Sequence, residues 1–142
     1  MQANIQKYFS FVQSYYDNQS KYFDVRIELH KQTKKLIDMS KQIMTFEQEK
    51  ELKKIEYDEL KVKSNKSEKE REKLTRLDTQ LKELRDKISK KKLEIEKETG
   101  EREKINANSR FFKKKMDETL AELNEAKPNP SMRHPLNYLL LK

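Results

Sequence analysis

Two histidines are the first residues to weigh for catalysis or metal binding. His30 and His134 lie far apart in the sequence, and no metal-ligand spacing surrounds either of them. The chain has no cysteine, which removes a thiolate nucleophile, a thiolate metal site and a disulfide framework together. Its one glycine, Gly100, cannot form a glycine-rich phosphate loop. Carboxylates are plentiful, but they alternate with lysines. A pair such as Glu68 and Glu72 reads as a solvated helix face and not as an acid–base couple. The expectation is a protein that is not an enzyme, with no catalytic residue, no cofactor and no bound metal.

Two basic triplets remain, Lys90-Lys91-Lys92 and Lys113-Lys114-Lys115. Consecutive residues fan around a helix axis, so each triplet forms a collar and not a stripe. Proteins that follow a phosphate backbone concentrate positive charge on one surface and add aromatics that stack on bases. Here acidic residues flank both collars and most aromatics sit at the other end of the chain, which disfavours nucleic acid. Contact with an acidic protein surface, such as that of a microtubule, is the functional reading of these six lysines.

With so little chemistry in single residues, the informative pattern is a repeat. With Tyr8 at position a of a heptad, a falls on Tyr8, Tyr15, Tyr22, Leu29, Leu36 and Ile43, and d on Phe11, Val25, Met39, Phe46 and Leu60. A parallel row at b holds Phe9, Tyr16, Phe23, Ile37 and Met44, with His30 in the same row. Position b faces solvent in a two-stranded coil, so a filled b row predicts contact with a second neighbouring helix. Residues 4–62 contain no Gly or Pro and read as one aromatic-rich coiled-coil helix. The same aromatic face raises the question of membrane binding, but Asp17, Asp24 and Glu28 dilute the charged side that a membrane-surface helix needs.

Residues 63–73 contain no apolar residue and form a polar joint, in which Ser67 and Glu70 have the spacing of a capping box. The heptad resumes in a different phase with Leu74, Leu81, Ile88 and Ile95 at a and Leu77 and Leu84 at d. Residues 74–126 read as a second coiled-coil helix, with a weak point at 98–102 where Glu98, Gly100 and Arg102 interrupt the seam. Two architectures satisfy this pattern. One is a helical hairpin with its joint near residues 63–67 and arms of about 90 Å. The other is a continuous broken rod in which the phase slips by three residues. Residues 127–142 form a tail whose three prolines, Pro128, Pro130 and Pro135, precede the short apolar segment Leu136–Leu141.

Composition agrees with an all-α, extended coiled coil and not with a globule. Of the 142 residues, 41% are charged and only 33% hydrophobic, too little apolar surface for a compact core. The net charge of +8 is uneven, with +1 over residues 1–62, +4 over 63–126 and +3 over 127–142, and it permits an acidic partner without requiring one. No signal peptide is visible in the aromatic and polar first twenty residues, and no stretch approaches a membrane span. A cytoplasmic, cytoskeletal setting is the default expectation.

The C-terminal part carries a resemblance. Glu101-Arg102-Glu103-Lys104 leads into Asn108-Ser109-Arg110-Phe111-Phe112-Lys113-Lys114-Lys115 and then into Pro135-Leu136-Asn137-Tyr138-Leu139-Leu140-Leu141-Lys142. Over roughly the last forty residues this resembles ciliary axonemal coiled-coil proteins associated with the nexin–dynein regulatory complex, in which a charged helix closes before a short Pro-x-x-x-Tyr-x-x-x-Lys segment. The chain departs from that pattern in its extra prolines. The resemblance implies a structural subunit that links complexes on doublet microtubules, with tubulin and axonemal regulatory complexes as partners. It implies no catalytic residue.

The sequence thus predicts a structural or adaptor subunit of a large cytoskeletal assembly that binds other coiled-coil proteins, as a homo- or hetero-oligomer. The residues expected at partner contacts are Tyr8, Phe11, Tyr15, Tyr22, Leu29, Leu36, Ile43 and Phe46 against one helix and Phe9, Tyr16, Phe23, Ile37 and Met44 against a second, then Leu74, Leu77, Leu81, Leu84 and Ile88, and Tyr138 and Leu140 in the tail. A scaffold of a kinetochore, spindle or vesicle-tethering complex shares this architecture, and a basic nucleic-acid-associated rod is the remaining alternative. No small-molecule substrate and no membrane are expected.

Overall fold

A computed structural model describes residues 2–126, with side chains from Ile5 onward. It contains two helices, α1 over Gln2–Lys61 and α2 over Glu68–Ala126. Neither contains proline, and both are dominated by strong helix formers, so nothing local interrupts about sixteen turns of each.

The chain reverses between them, and the hairpin replaces the continuous-rod alternative. The Val62 and Lys63 amides close the end of α1, donating to the Asp58 and Leu60 carbonyls at 3.3 Å each. Asn65 then takes a left-handed backbone with φ of 61°, which asparagine tolerates better than most residues. Ser67 caps α2 as its spacing predicts. The Glu70 amide donates to Ser67 Oγ, and the Ser67 amide donates to the Glu70 carboxylate, both at 3.2 Å. The change of heptad phase near the middle of the sequence is therefore a turn, not a slip within one helix. Residues 68–73, polar in composition, are the first turns of α2.

The described chain divides into two compact units. The first joins α1 through His30 with α2 from Glu103, and the second is Lys31–Arg102. In the first, Tyr8, Tyr15, Met116 and Leu123 form a buried cluster, with Phe11, Val12, Tyr16, Tyr22 and Leu120 packed against it. Asn18 Nδ2 donates to Thr119 Oγ1 at 3.4 Å, and that hydroxyl donates to the Lys115 carbonyl at 2.7 Å. A polar layer in the seam is thereby satisfied.

In the second unit the turn brings the two helices side by side in antiparallel register. Glu56 pairs with Lys73, Lys53 Nζ donates to Gln80 Oε1 at 3.1 Å, and Glu47 meets Lys92 at 3.8 Å. Met39, Leu77, Leu81, Leu84 and Ile88 are buried there. Of the polar positions at 98–102, Glu98 and Arg102 face α1 and are paired. Gln32 Nε2 donates to the Glu98 carboxylate, Lys35 sits 3.2 Å from it, and Arg102 Nε donates to Thr33 Oγ1 at 2.9 Å. Gly100 lies within the helix, and nothing approaches within 4 Å of where its Cβ would stand.

Candidate interaction surface

A surface available to another molecule must come from apolar residues that the chain does not bury itself. The a and d residues are largely spoken for. Tyr8, Tyr15, Leu29, Leu77, Leu81, Leu84 and Ile88 are buried, and Phe11, Tyr22, Leu36, Ile43, Phe46 and Leu74 are half-buried. The seam expected to meet partners is thus occupied by the chain's own second helix. Tyr138 and Leu140 lie outside the described residues, as does the whole tail segment.

The b row behaves differently. In the first unit Phe9 and Phe23 keep 53% and 54% of their surface exposed, and Tyr16 is half-buried. In the second, Ile37 is 50% and Met44 70% exposed. These rings are held as well as exposed. Tyr8 packs edge-on to Phe9, Tyr15 to Tyr16, and Tyr22 to Phe23, with centroids 5.3, 5.9 and 5.6 Å apart. The pairs repeat every heptad, and in the first and third the b-row ring, Phe9 or Phe23, stays more than half exposed, whereas Tyr16 packs partly against the buried cluster. Edge-to-face pairing of this kind is favourable and fixes ring orientation. Burial pushes the Tyr15 phenol above its ordinary value, and Tyr16 and Asp117 add to the shift.

The exposed stripe of the first unit widens beyond the b row. Ile5 and Ile27 are exposed beside Phe9 and Phe23, with Val12 half-buried between them. These residues occupy heptad positions e, b and f. Among the eleven e, b and f residues from Ile5 to Ile27, only Arg26 is charged. Asp17 and Asp24, at position c, run along one side of the stripe. In the second unit the same positions carry Lys34, Lys41, Glu47, Glu51, Lys54 and Asp58, so the uncharged face does not continue there.

The lysine triplets are mostly neutralised by the chain itself. Lys91 meets Glu94 at 3.4 Å and Lys92 meets Glu47 at 3.8 Å. Lys113 pairs with Asp117 at 3.4 Å, Lys114 with Glu118 at 4.0 Å, and Lys115 with Glu118 at 3.7 Å while it lies over the Phe111 ring. Lys90 alone of the six has no ion pair among the described residues. The triplets are therefore mixed-charge surface and not a basic patch. In the second unit an open recess of about 260 Å³ lies among Lys35, Met39, Lys91, Glu94, Lys97 and Glu98, and its lysines and glutamates likewise offset one another.

His30 is exposed on α1, and no group of acidic, histidine or cysteine side chains among the described residues is arranged to hold a metal ion. Among the described residues no helix is long and apolar enough to cross a membrane. Sequence reasoning picked out the b row from its spacing. It did not pick out the flanking Ile5 and Ile27, although the absence of charge around them is visible in the sequence once the heptad frame is fixed. No protein-family model, curated protein or solved structure matches the chain.

Proposed function

We propose that this chain is a non-enzymatic structural adaptor, a helical hairpin that packs its seam against itself and offers an outer aromatic face to other helices of a large cytoskeletal assembly. The observation that carries this reading is the series of edge-to-face aromatic pairs in the first unit, two of which keep their outer rings, Phe9 and Phe23, more than half exposed. Rigid aromatics on a face depleted of charge are what the centre of a protein interface is made of. The setting we propose is the ciliary axoneme, where the chain would link complexes on doublet microtubules. The support for that setting is the resemblance of residues 101–142 described above.

The test is proximity labelling from the full chain tagged at its N-terminus, in cells that build cilia, read by mass spectrometry. Tubulin, axonemal dyneins and regulatory-complex subunits are the expected neighbours. Recovery of centromeric, spindle or vesicle proteins without axonemal ones would overturn the axonemal setting. The triple variant Phe9→Ser, Tyr16→Ser, Phe23→Ser should lose whichever neighbours the wild type labels. If the variant keeps them all, the aromatic face is not the adaptor surface.

A further inference from the structure

The face of the first unit, on which Arg26 is the single charged residue, has a polarity in its rim that narrows the kind of partner it fits. Ile5, Phe9, Tyr16, Phe23 and Ile27 lie at spacings of four and seven residues, the spacing with which one helix meets another. Of the polar residues on this face, Gln6, Gln13 and Ser20 are exposed and carry no charge that burial would strand, Gln19 is already buried, and Arg26 is the one charge, half-buried beside Ile27. In a chain that is 41% charged, such a gap is local and specific. Asp17 and Asp24, one heptad apart, are exposed along one side of this face and make no ion pair among the described residues. Both charges lie where the rim of a docked helix would fall.

We infer that the face formed by Ile5, Phe9, Tyr16, Phe23 and Ile27 docks an amphipathic helix of another protein whose apolar stripe is flanked by lysine or arginine, paired with Asp17 and Asp24. The proposal rests on the adaptor reading and adds the partner's chemistry. A second copy of this chain is disfavoured, because the same face would bring two carboxylates, Asp17 and Asp24, against one cation, Arg26. An anionic lipid surface is disfavoured by the same carboxylates. Rim charges of this type act mainly on encounter and on choice of partner, while the buried aromatics hold the complex.

The test places the photo-crosslinking residue p-benzoylphenylalanine at position 9 or 23 of the full chain in cells, and sequences the peptide it captures. Aromatic replaces aromatic at an exposed position, so the fold is kept. The expected product is a segment of another protein with a heptad apolar stripe and Lys or Arg beside it. Changing Asp17→Lys together with Asp24→Lys should lower the crosslink yield at least about fivefold, and Asp17→Asn with Asp24→Asn should lower it less. Circular dichroism of each variant should match wild type, because neither aspartate supports the hairpin. A crosslink to residues 136–141 of this chain, to its own α1 in a second copy, or to a helix flanked by acidic residues would overturn the proposal. So would an unchanged yield in both charge variants, or no crosslink at all. Axonemal neighbours found by proximity labelling together with a crosslink to the tail would keep the adaptor reading and remove the partner assignment alone.

Discussion

Single side chains in this protein divide sharply by what their loss should cost. Leu123 is completely buried in the first unit's cluster, so Leu123→Ala removes several methyl and methylene groups and leaves a cavity. A loss of about 2–5 kcal/mol is expected, measured as a lower midpoint in urea. Phe23→Ala removes a larger side chain from a position 54% exposed and should cost much less stability, while on the proposed adaptor reading it weakens partner contact. If the two variants unfold alike, the division between inner and outer aromatics is wrong. Glu98 makes a pH prediction. The hydrogen bond from Gln32, then that from Lys35, hold its carboxyl below the usual carboxylate value. The folded state therefore binds that proton more weakly than the unfolded chain does. The resulting stabilisation is present above the ordinary value of about 4.3 and is lost as pH falls through the lowered one. Glu98→Gln should destabilise the chain at neutral pH, and its gap from wild type should shrink in acid. A gap that stays constant down to pH of about 3 would show that the Gln32 and Lys35 contacts carry no charge-dependent stability.

At the level of elements, the helices were legible because period and propensity agree over long stretches. The a and d positions of the seam are the ones that turn inward, down to the polar members Asn18, Gln32 and Glu98. Apolar counting treats those members as gaps. In the structure they pair across the helices, so a run of charge at 98–102 weakens the hydrophobic signal without breaking the element. The turn was harder to read. A tight reversal needs only one residue outside the right-handed region, and here Asn65 supplies it without any Gly or Pro to mark the place. The capping box gave the start of α2, and its contribution can be measured. Ser67→Ala leaves the Glu70 amide without its side-chain acceptor and should cost about 1 kcal/mol. Gly100→Ala should have the opposite sign and add up to about 1 kcal/mol, because a Cβ there meets open space on a helical backbone. Both are read from chemical denaturation. A Gly100→Ala variant no more stable than wild type would show that this stretch of α2 is not helical in solution.

For the molecule as a whole, the question the sequence left open was whether the seam is satisfied within one chain or between chains. Heptad spacing reports only that a helix needs a helix, and it is the same for a partner in cis or in trans. The turn at 62–67 decides it for Lys31–Arg102, where α1 finds α2 of the same chain, and in the first unit the buried cluster likewise draws on residues of both helices. A seam closed in cis makes stability independent of protein concentration. A seam closed between two chains would instead gain about 1.4 kcal/mol for each tenfold rise in concentration, through mass action. Thermal unfolding of the full chain across two decades of concentration is therefore expected to give one midpoint. A midpoint that climbs with concentration would mean that the a and d residues pair between molecules in solution. In that case Tyr8, Tyr15 and Leu81 would be the contacts between chains that their spacing first predicted, and the outer aromatics would be a second surface on an oligomer.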